Sequence, residues 1–247
     1  MNKQTPIVIS IIIPTLNEEK LIARVLHQFD EDLKNNFALE IIVSDGGSTD
    51  RTLDIAEKYV DKIVRHSGDR KQNIAEGRNK GAEISKGDVL VFFNADTELE
   101  DPKMFFEKIR LFGVNNTYSG LTCKIKVFRN EEKFSDKLFH FFYNRYVKFL
   151  NFIGLGMARG ECHVIKREYF YQAGKYNEKM FAGEDFDLFR RLRKLGKIKV
   201  ESELTVRESP RRYRKYGYVK VIYDWLKNSV WILVFKKSSS DKWEPVR

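Results

Sequence analysis

Asp88-Val89-Leu90-Val91-Phe92-Phe93-Asn94-Ala95-Asp96-Thr97-Glu98 is the stretch on which the fold turns. Val89 to Phe93 is an unbroken apolar run of β-branched, aromatic and leucine side chains. A run without polar alternation reads as a strand covered on both faces. It breaks at Asn94-Ala95-Asp96, and alternation along an extended chain puts residues 94 and 96 on the same side. Polar oxygens at the carboxyl end of a central strand mark where open α/β sheets bind ligands. Two roles fit Asp96. One is to hold a divalent cation with Asn94 as a neutral helper, the arrangement of a hard ion bound by one or two carboxylates and phosphate oxygens. The other is to cap the helix that opens near Asp101-Pro102.

Working outward, Ile7 to Ile13 reads as another buried strand, ended by Pro14-Thr15. Asn17 can cap a helix from about residue 18 to 34, with Leu21, Ile22, Val25, Leu26 and Phe29 on one face. A strand from Leu39 to Ser44 stops at Asp45-Gly46-Gly47-Ser48-Thr49-Asp50, where the glycines permit a tight turn and Ser48 or Thr49 caps the next helix. A short strand over 62–66 and a helix over 71–85 lead into the central strand. Strand and helix thus alternate through the first ninety-five or so residues, which specifies a parallel sheet with helices on its faces. Three strands end in polar clusters: Thr15, Asn17 and Glu18; Asp45; Asn94 and Asp96. If those strands are neighbours, the clusters share one crevice.

Downstream, a helix to about residue 112, a strand over 118–128 and an aromatic helix over 134–155 are expected. A short strand over 161–166, a helix over 184–195, strands over 197–207, a last helix over 217–236 and a loose tail after Ser238 complete the reading. Glu184-Asp185 stands just ahead of its helix, where two carboxylates complement the helix dipole.

The chain has 247 residues, 42% of them hydrophobic, enough for one large domain with an appendage and too apolar for wholesale disorder. Net charge is +10, and between Arg190 and Lys215 eleven Lys and Arg face three Glu. That band suits phosphates or acidic headgroups, and equally a solvated basic face. Nucleic acid is not an expected partner, because no recognised reader module is present. Cys123 and Cys162 form neither a disulfide framework nor a metal spacing, which fits a reducing, cytoplasmic setting. The opening residues lack the pattern of a secretory leader, and no segment reaches the ~20 apolar residues of a spanning helix.

Five pieces in order resemble the family 2 glycosyltransferases, nucleotide-sugar-dependent enzymes of the GT-A fold. They are Ser10-Ile-Ile-Ile-Pro-Thr-Leu-Asn-Glu-Glu19, Asp45 to Asp50, Arg78-Asn79-Lys80-Gly81 running on to Gly87-Asp88, Asn94-Ala95-Asp96, and Gly183-Glu184-Asp185. The resemblance implies a Rossmann-like, mostly parallel central sheet flanked by helices, with a C-terminal helical extension. It implies a catalytic domain over 1–210, with the nucleotide part in about 1–100 and the acceptor part in about 101–210, then a helix and tail over 211–247. It makes Asp45 the reader of the nucleobase, with Pro14, Thr15, Asn17 and Glu18 lining the nucleotide pocket and Arg78 facing the donor; a surface role for Arg78 is the alternative. Asp96, helped by Asn94, would hold Mg²⁺ or Mn²⁺ against the diphosphate, although the family carries Asp in the place of Asn94. Asp185 would be the general base of an inverting, single-displacement transfer, with Glu184 in support.

The processive members' Gln-x-x-Arg-Trp is absent; Ser209-Pro210-Arg211-Arg212 stands near its place, and Arg211 or Arg212 can clamp a diphosphate. A UDP sugar is the first expected donor and a GDP sugar the second, with a sugar or lipid-linked acceptor. The aromatic helix and the last helix, both flanked by Lys and Arg, fit a core, a homodimer face or a peripheral seat on the inner face of the membrane. Two alternatives are a sugar-phosphate nucleotidyltransferase and a non-catalytic nucleotide- or lipid-binding member of the fold. The first wants a glycine-rich basic loop after the first strand, which Pro14-Thr15-Leu16-Asn17-Glu18 is not. The second is disfavoured by Asp45, Asp96 and Asp185 standing together.

Overall fold

In the computed structural model, which describes residues 7–239, eight strands form one sheet. They are β1 (Ile9–Thr15), β2 (Leu39–Asp45), β3 (Lys62–Arg65), β4 (Val89–Phe93), β5 (Thr97–Leu99), β6 (Tyr118–Val127), β7 (Cys162–Lys166) and β8 (Lys197–Glu208). Their order is β3-β2-β1-β4-β7-β6-β8-β5. Neighbours run parallel from β3 to β4 and again between β6 and β8, while β7 is antiparallel to both β4 and β6 and β5 is antiparallel to β8. The sheet is therefore mixed, parallel in the half expected to bind a nucleotide and interrupted by β7 in the other.

The central run is covered on both faces, as its composition requires. Val89, Val91 and Phe93 join Ile9, Ile11 and Ile13 in one core, packed under Phe105, Phe106 and Ile109. Leu90 and Phe92 join Ile12 and Ile42 in a second core with Phe170, Tyr176, Leu188 and Phe189.

Ten helices cover the sheet among the described residues: α1 (Ile22–Leu26), α2 (Glu31–Phe37), α3 (Thr52–Ala56), α4 (Ile74–Ile84), α5 (Pro102–Val114), α6 (Phe134–Phe152), α7 (Arg167–Gln172), α8 (Glu184–Leu195), α9 (Arg211–Tyr216) and α10 (Tyr218–Phe235). The single helix expected over 18–34 is two. Asp30, in an extended conformation, accepts a hydrogen bond from the Leu33 N–H at 2.8 Å and starts α2 afresh. Gln28, in the break, donates to the carbonyl of Thr97 at 2.9 Å and so ties the turn to β5. Helix α4 is shorter than the expected 71–85, because Asn73 and Glu76 form a reciprocal capping box.

The helix after the central strand is capped by Asp101, whose carboxylate accepts from Met104 N–H at 2.9 Å, so Asp96 is not its cap. The intervening residues form β5, and α7 follows β7; neither was expected. The last helix runs as expected, and the short α9 before it, also not expected, is set apart from α10 by Gly217 at φ 74°. The tail expected to be loose lies almost wholly outside the described residues. No described helix is long and apolar enough to cross a membrane.

Candidate active site

Strands β2, β1 and β4 lie side by side, with Thr15 in register with Asp45, so their carboxyl ends converge as the sequence anticipates. A cleft of about 230 Å³ opens beyond them. From the first hundred residues it takes Pro14, Thr15, Glu18, Arg78, Asn94 and Asp96. The rest of the chain adds Glu184, Asp185, Arg211 and Arg212. Two expected residues, Asn17 and Asp45, stand behind its rim; Ser44 and Gly46 line it in place of Asp45.

Local hydrogen bonding explains that displacement. One Asp45 oxygen accepts from the N–H groups of Gly47 and Ser48, both at 2.9 Å. The other accepts from the Ser48 hydroxyl at 2.5 Å and the Thr15 hydroxyl at 3.3 Å. The carboxylate closes its own glycine loop. Asn17 does not cap the first helix. Its N–H donates to Ser48 Oγ at 2.9 Å and its side-chain oxygen accepts from Thr49 N–H at 2.8 Å, which clasps the two loops together. The cap expected from Ser48 or Thr49 is also replaced, since Asp50 accepts from Thr52 N–H at 3.0 Å at the start of α3.

Arg78 is fully buried, which rules out the surface role. Its guanidinium donates to Glu184 Oε1 at 2.8 Å, to the Gly160 carbonyl at 2.7 Å and to Asn94 Oδ1 at 3.0 Å. One side chain on α4 thereby fixes the end of β4, the turn before β7 and the first residue of α8. It shares the Asn94 oxygen, while Asn94 itself lines the cleft.

Arg211 grips Glu18 with two parallel hydrogen bonds of 2.9 Å and reaches Asp96 Oδ2 at 3.1 Å. Burial, reinforced by the charges of Glu18 and Glu161, pushes the Asp96 carboxyl up to about 6 against the pull of Arg211. Among the described residues no three His, Cys, Asp or Glu side chains form a metal cage. The donor set, one carboxylate from Asp96 beside the neutral Asn94, would suit a hard cation completed by diphosphate oxygens and water. Glu161 Oε2, buried without a hydrogen-bond partner, adds negative charge nearby.

Gly183 begins α8 at φ 77°, and a Cβ there would lie 2.4 Å from Ile232 Cδ1. Only glycine lets α10 press on the start of this helix. Asp185 follows in the first turn, its Oδ1 accepting from Phe186 N–H at 2.7 Å. Burial and then the adjacent Glu184 push its carboxyl up to about 7, and Arg78 pulls the other way. A carboxyl titrating near neutrality in a cleft is poised to take a proton. Capping the helix dipole and offering a base are compatible at this position.

A second charged group was not anticipated. Arg159 donates to Glu208 at 2.5 Å, to Glu161 at 3.1 Å and to the Tyr213 hydroxyl at 2.9 Å, with His140 Nδ1 at 3.1 Å from its other terminal nitrogen. Burial and Arg159 hold His140 down at about 3, so it is neutral. Arg159 holds Glu161 at about 2, whereas burial drives Glu208 well above the ordinary carboxylate range. Arg159, Glu161, Glu208 and Tyr213 all line the cleft. The available signal was Arg159-Gly160-Glu161, opposite charges flanking a glycine just ahead of a buried strand.

The sheet order and the polar strand ends that meet at the cleft define an α/β protein with its ligand cleft at the carboxyl ends of its strands. The profile of Glycosyl transferase family 2 matches residues 10–174, and the chain belongs to that family. The PGL/p-HBAD biosynthesis glycosyltransferase of Mycobacterium bovis (strain BCG / Pasteur 1173P2) is 35% identical over 94 residues, 36% of this chain and 36% of that one. The match thus spans about a third of that relative's length. The mannosyltransferase PcManGT of Pyrobaculum calidifontis, solved with GDP-Man and Mn²⁺, superimposes with a TM-score of 0.65 at 16% identity, covering 94% of this chain and 71% of that one. S. aureus TarS 1–349 in complex with UDP-GlcNAc gives 0.60 at 18% identity, covering 80% and 58%. These neighbours establish a GT-A fold.

Proposed function

We propose that the chain moves a hexosyl group from a nucleotide-diphosphate sugar to an acceptor hydroxyl with inversion. The observation that carries this reading is that Asp96, Arg211 and Asp185, far apart in sequence, open onto one cleft. The acceptor oxygen attacks the anomeric carbon, its proton passes to Asp185, and the bond from that carbon to the diphosphate breaks. Arg78 and Glu184 hold the helix that presents Asp185. Arg211, freed from Glu18, and Arg212 are suited to hold the departing diphosphate. Mg²⁺ or Mn²⁺ at Asp96 would neutralise charge that develops on that diphosphate.

The proposed division of labour puts most of the donor contacts in residues 1–100 and acceptor binding in 101–210, with Arg211 and Arg212 of the 211–247 extension at the donor's diphosphate. A UDP sugar is the first choice of donor and a GDP sugar the second; the solved neighbours with UDP-GlcNAc and GDP-Man support both. The chemistry suits the cytoplasm, where such donors are made available to a reduced protein.

A thermal-shift panel of UDP, GDP, CDP and dTDP with Mn²⁺ tests it. One nucleotide at about 100 times its dissociation constant should add ~2.7 kcal/mol of stability. Asp96→Ala should lose the Mn²⁺-dependent part of that shift. No shift with any nucleotide would remove the reading.

A further inference from the structure

α6 and α10 lie side by side, and an apolar groove of about 500 Å³ runs between them. Leu138, Phe142 and Tyr146 form one wall, and Ile222, Trp225 and Leu226 the other. Both sheet cores are complete without these side chains, and Leu138, Phe142 and Leu226 stay 49%, 61% and 50% exposed. The groove is not an isolated surface feature. Tyr143, Trp225 and Ser229 line both it and the catalytic cleft, so its inner end is the cleft itself. The Tyr143 phenol is close enough to Asp185 to feel its charge. The Arg159 guanidinium sits 5.0 Å from the Tyr143 ring centre and 5.5 Å from that of Trp225, marking where apolar wall gives way to charge. The Gly183–Ile232 contact clamps α10 against the start of α8 and so fixes this mouth beside the base. A concave apolar channel that ends in a polar reaction centre matches a molecule apolar along its length and polar at one end. A flat bilayer surface or a second copy of the chain would cover the exposed faces of α6 and α10 without using that junction.

We propose that this groove seats the hydrocarbon tail of the acceptor, an amphiphile whose polar hydroxyl end passes Tyr143 and meets Asp185. The inference rests on the transferase reading of the cleft and narrows its acceptor to a long-chain lipid alcohol or lipid-linked sugar. Each methylene entering the groove strengthens binding about fourfold until the groove is full.

The test uses the full chain and n-alkyl β-glucosides from hexyl to dodecyl, below their micelle concentrations, titrated by calorimetry. The dissociation constant should fall about fourfold per added methylene. Leu138→Asn with Leu226→Asn, at half-exposed positions, should flatten that dependence while the nucleotide-induced thermal shift persists. Leu111→Asn on α5, 63% exposed and away from the groove, should leave it intact. Affinity independent of chain length, or the same dependence in the double variant, would overturn the proposal. So would a double variant that only changes sedimentation from dimer to monomer, or only loses pelleting with phosphatidylcholine vesicles. A normal chain-length dependence without any nucleotide shift would support the groove and sink the transferase reading instead.

Discussion

At the scale of the residue, the proposed base Asp185 is the assignment on which the transfer chemistry rests. Its carboxyl is raised from an ordinary 3.8 to about 7 by burial and by Glu184. A base must be ionised, so kcat/KM should fall about tenfold per pH unit below about 7 and level off above it. Asp185→Asn should cost about 10²–10⁴-fold in kcat while the nucleotide thermal shift is retained. A flat profile and unimpaired turnover would remove the assignment. The same shift has a stability consequence of opposite sense. Between the two pKa values the folded chain holds a proton that the unfolded chain has released, so this group costs stability as pH rises through that window. The Tm of Asp185→Asn relative to wild type should therefore be higher at about pH 8 than at about pH 4, and differential scanning calorimetry reads it directly. Much of the site was legible at this scale, because a carboxylate at a strand end or helix start advertises itself. Asp45 shows a second role that such reasoning passes over. An aspartate followed by two glycines and a serine readily bonds the N–H groups two and three residues on, and here it does. The sequence carried that signal as plainly as it carried the carboxylate.

Elements are held in place around the cleft by Arg78, and its removal separates assembly from chemistry. Arg78→Met should leave Glu184 buried without its partner and destabilise the fold by ~3–5 kcal/mol in urea denaturation. Adding Glu184→Gln should return much of that loss, since the uncompensated charge disappears. Failure of the second change to restore stability would mean that packing of the guanidinium, and not the ion pair, is what matters. The elements themselves were readable wherever their cause is local. α8 occupies the residues its amphipathic pattern marks, from Glu184 to Leu195. The central strand follows from five apolar residues in succession. Where the cause is distant, the pattern is silent. β5 exists because Thr97 pairs with Glu208 across more than a hundred residues. The break between α1 and α2 depends on Gln28 reaching that same strand.

Across the whole molecule, the charged group around Arg159 shows the limit most clearly. His140, Arg159, Glu161, Glu208 and Tyr213 come from α6, the turn before β7, the end of β8 and α9, and beyond the Arg159–Glu161 pair no spacing in the chain links them. Net charge is a property of the same scale, and it was readable from composition alone. The chain carries +10, and the band between residues 190 and 215 delivers Arg211 and Arg212 to the cleft. A diphosphate approaching that face is drawn by a field that salt screens over ~10 Å at about 0.1 M. Raising NaCl from about 0.02 M to about 0.2 M should lower the association rate of the nucleotide with the chain roughly tenfold. kcat, set after binding is complete, should change little over the same range. Arg212→Gln should flatten the salt dependence of association, whereas Arg110→Gln on α5, outside the cleft, should not. Stopped-flow nucleotide fluorescence distinguishes the cases: an association rate indifferent to salt would mean that the basic band is only a solvated face.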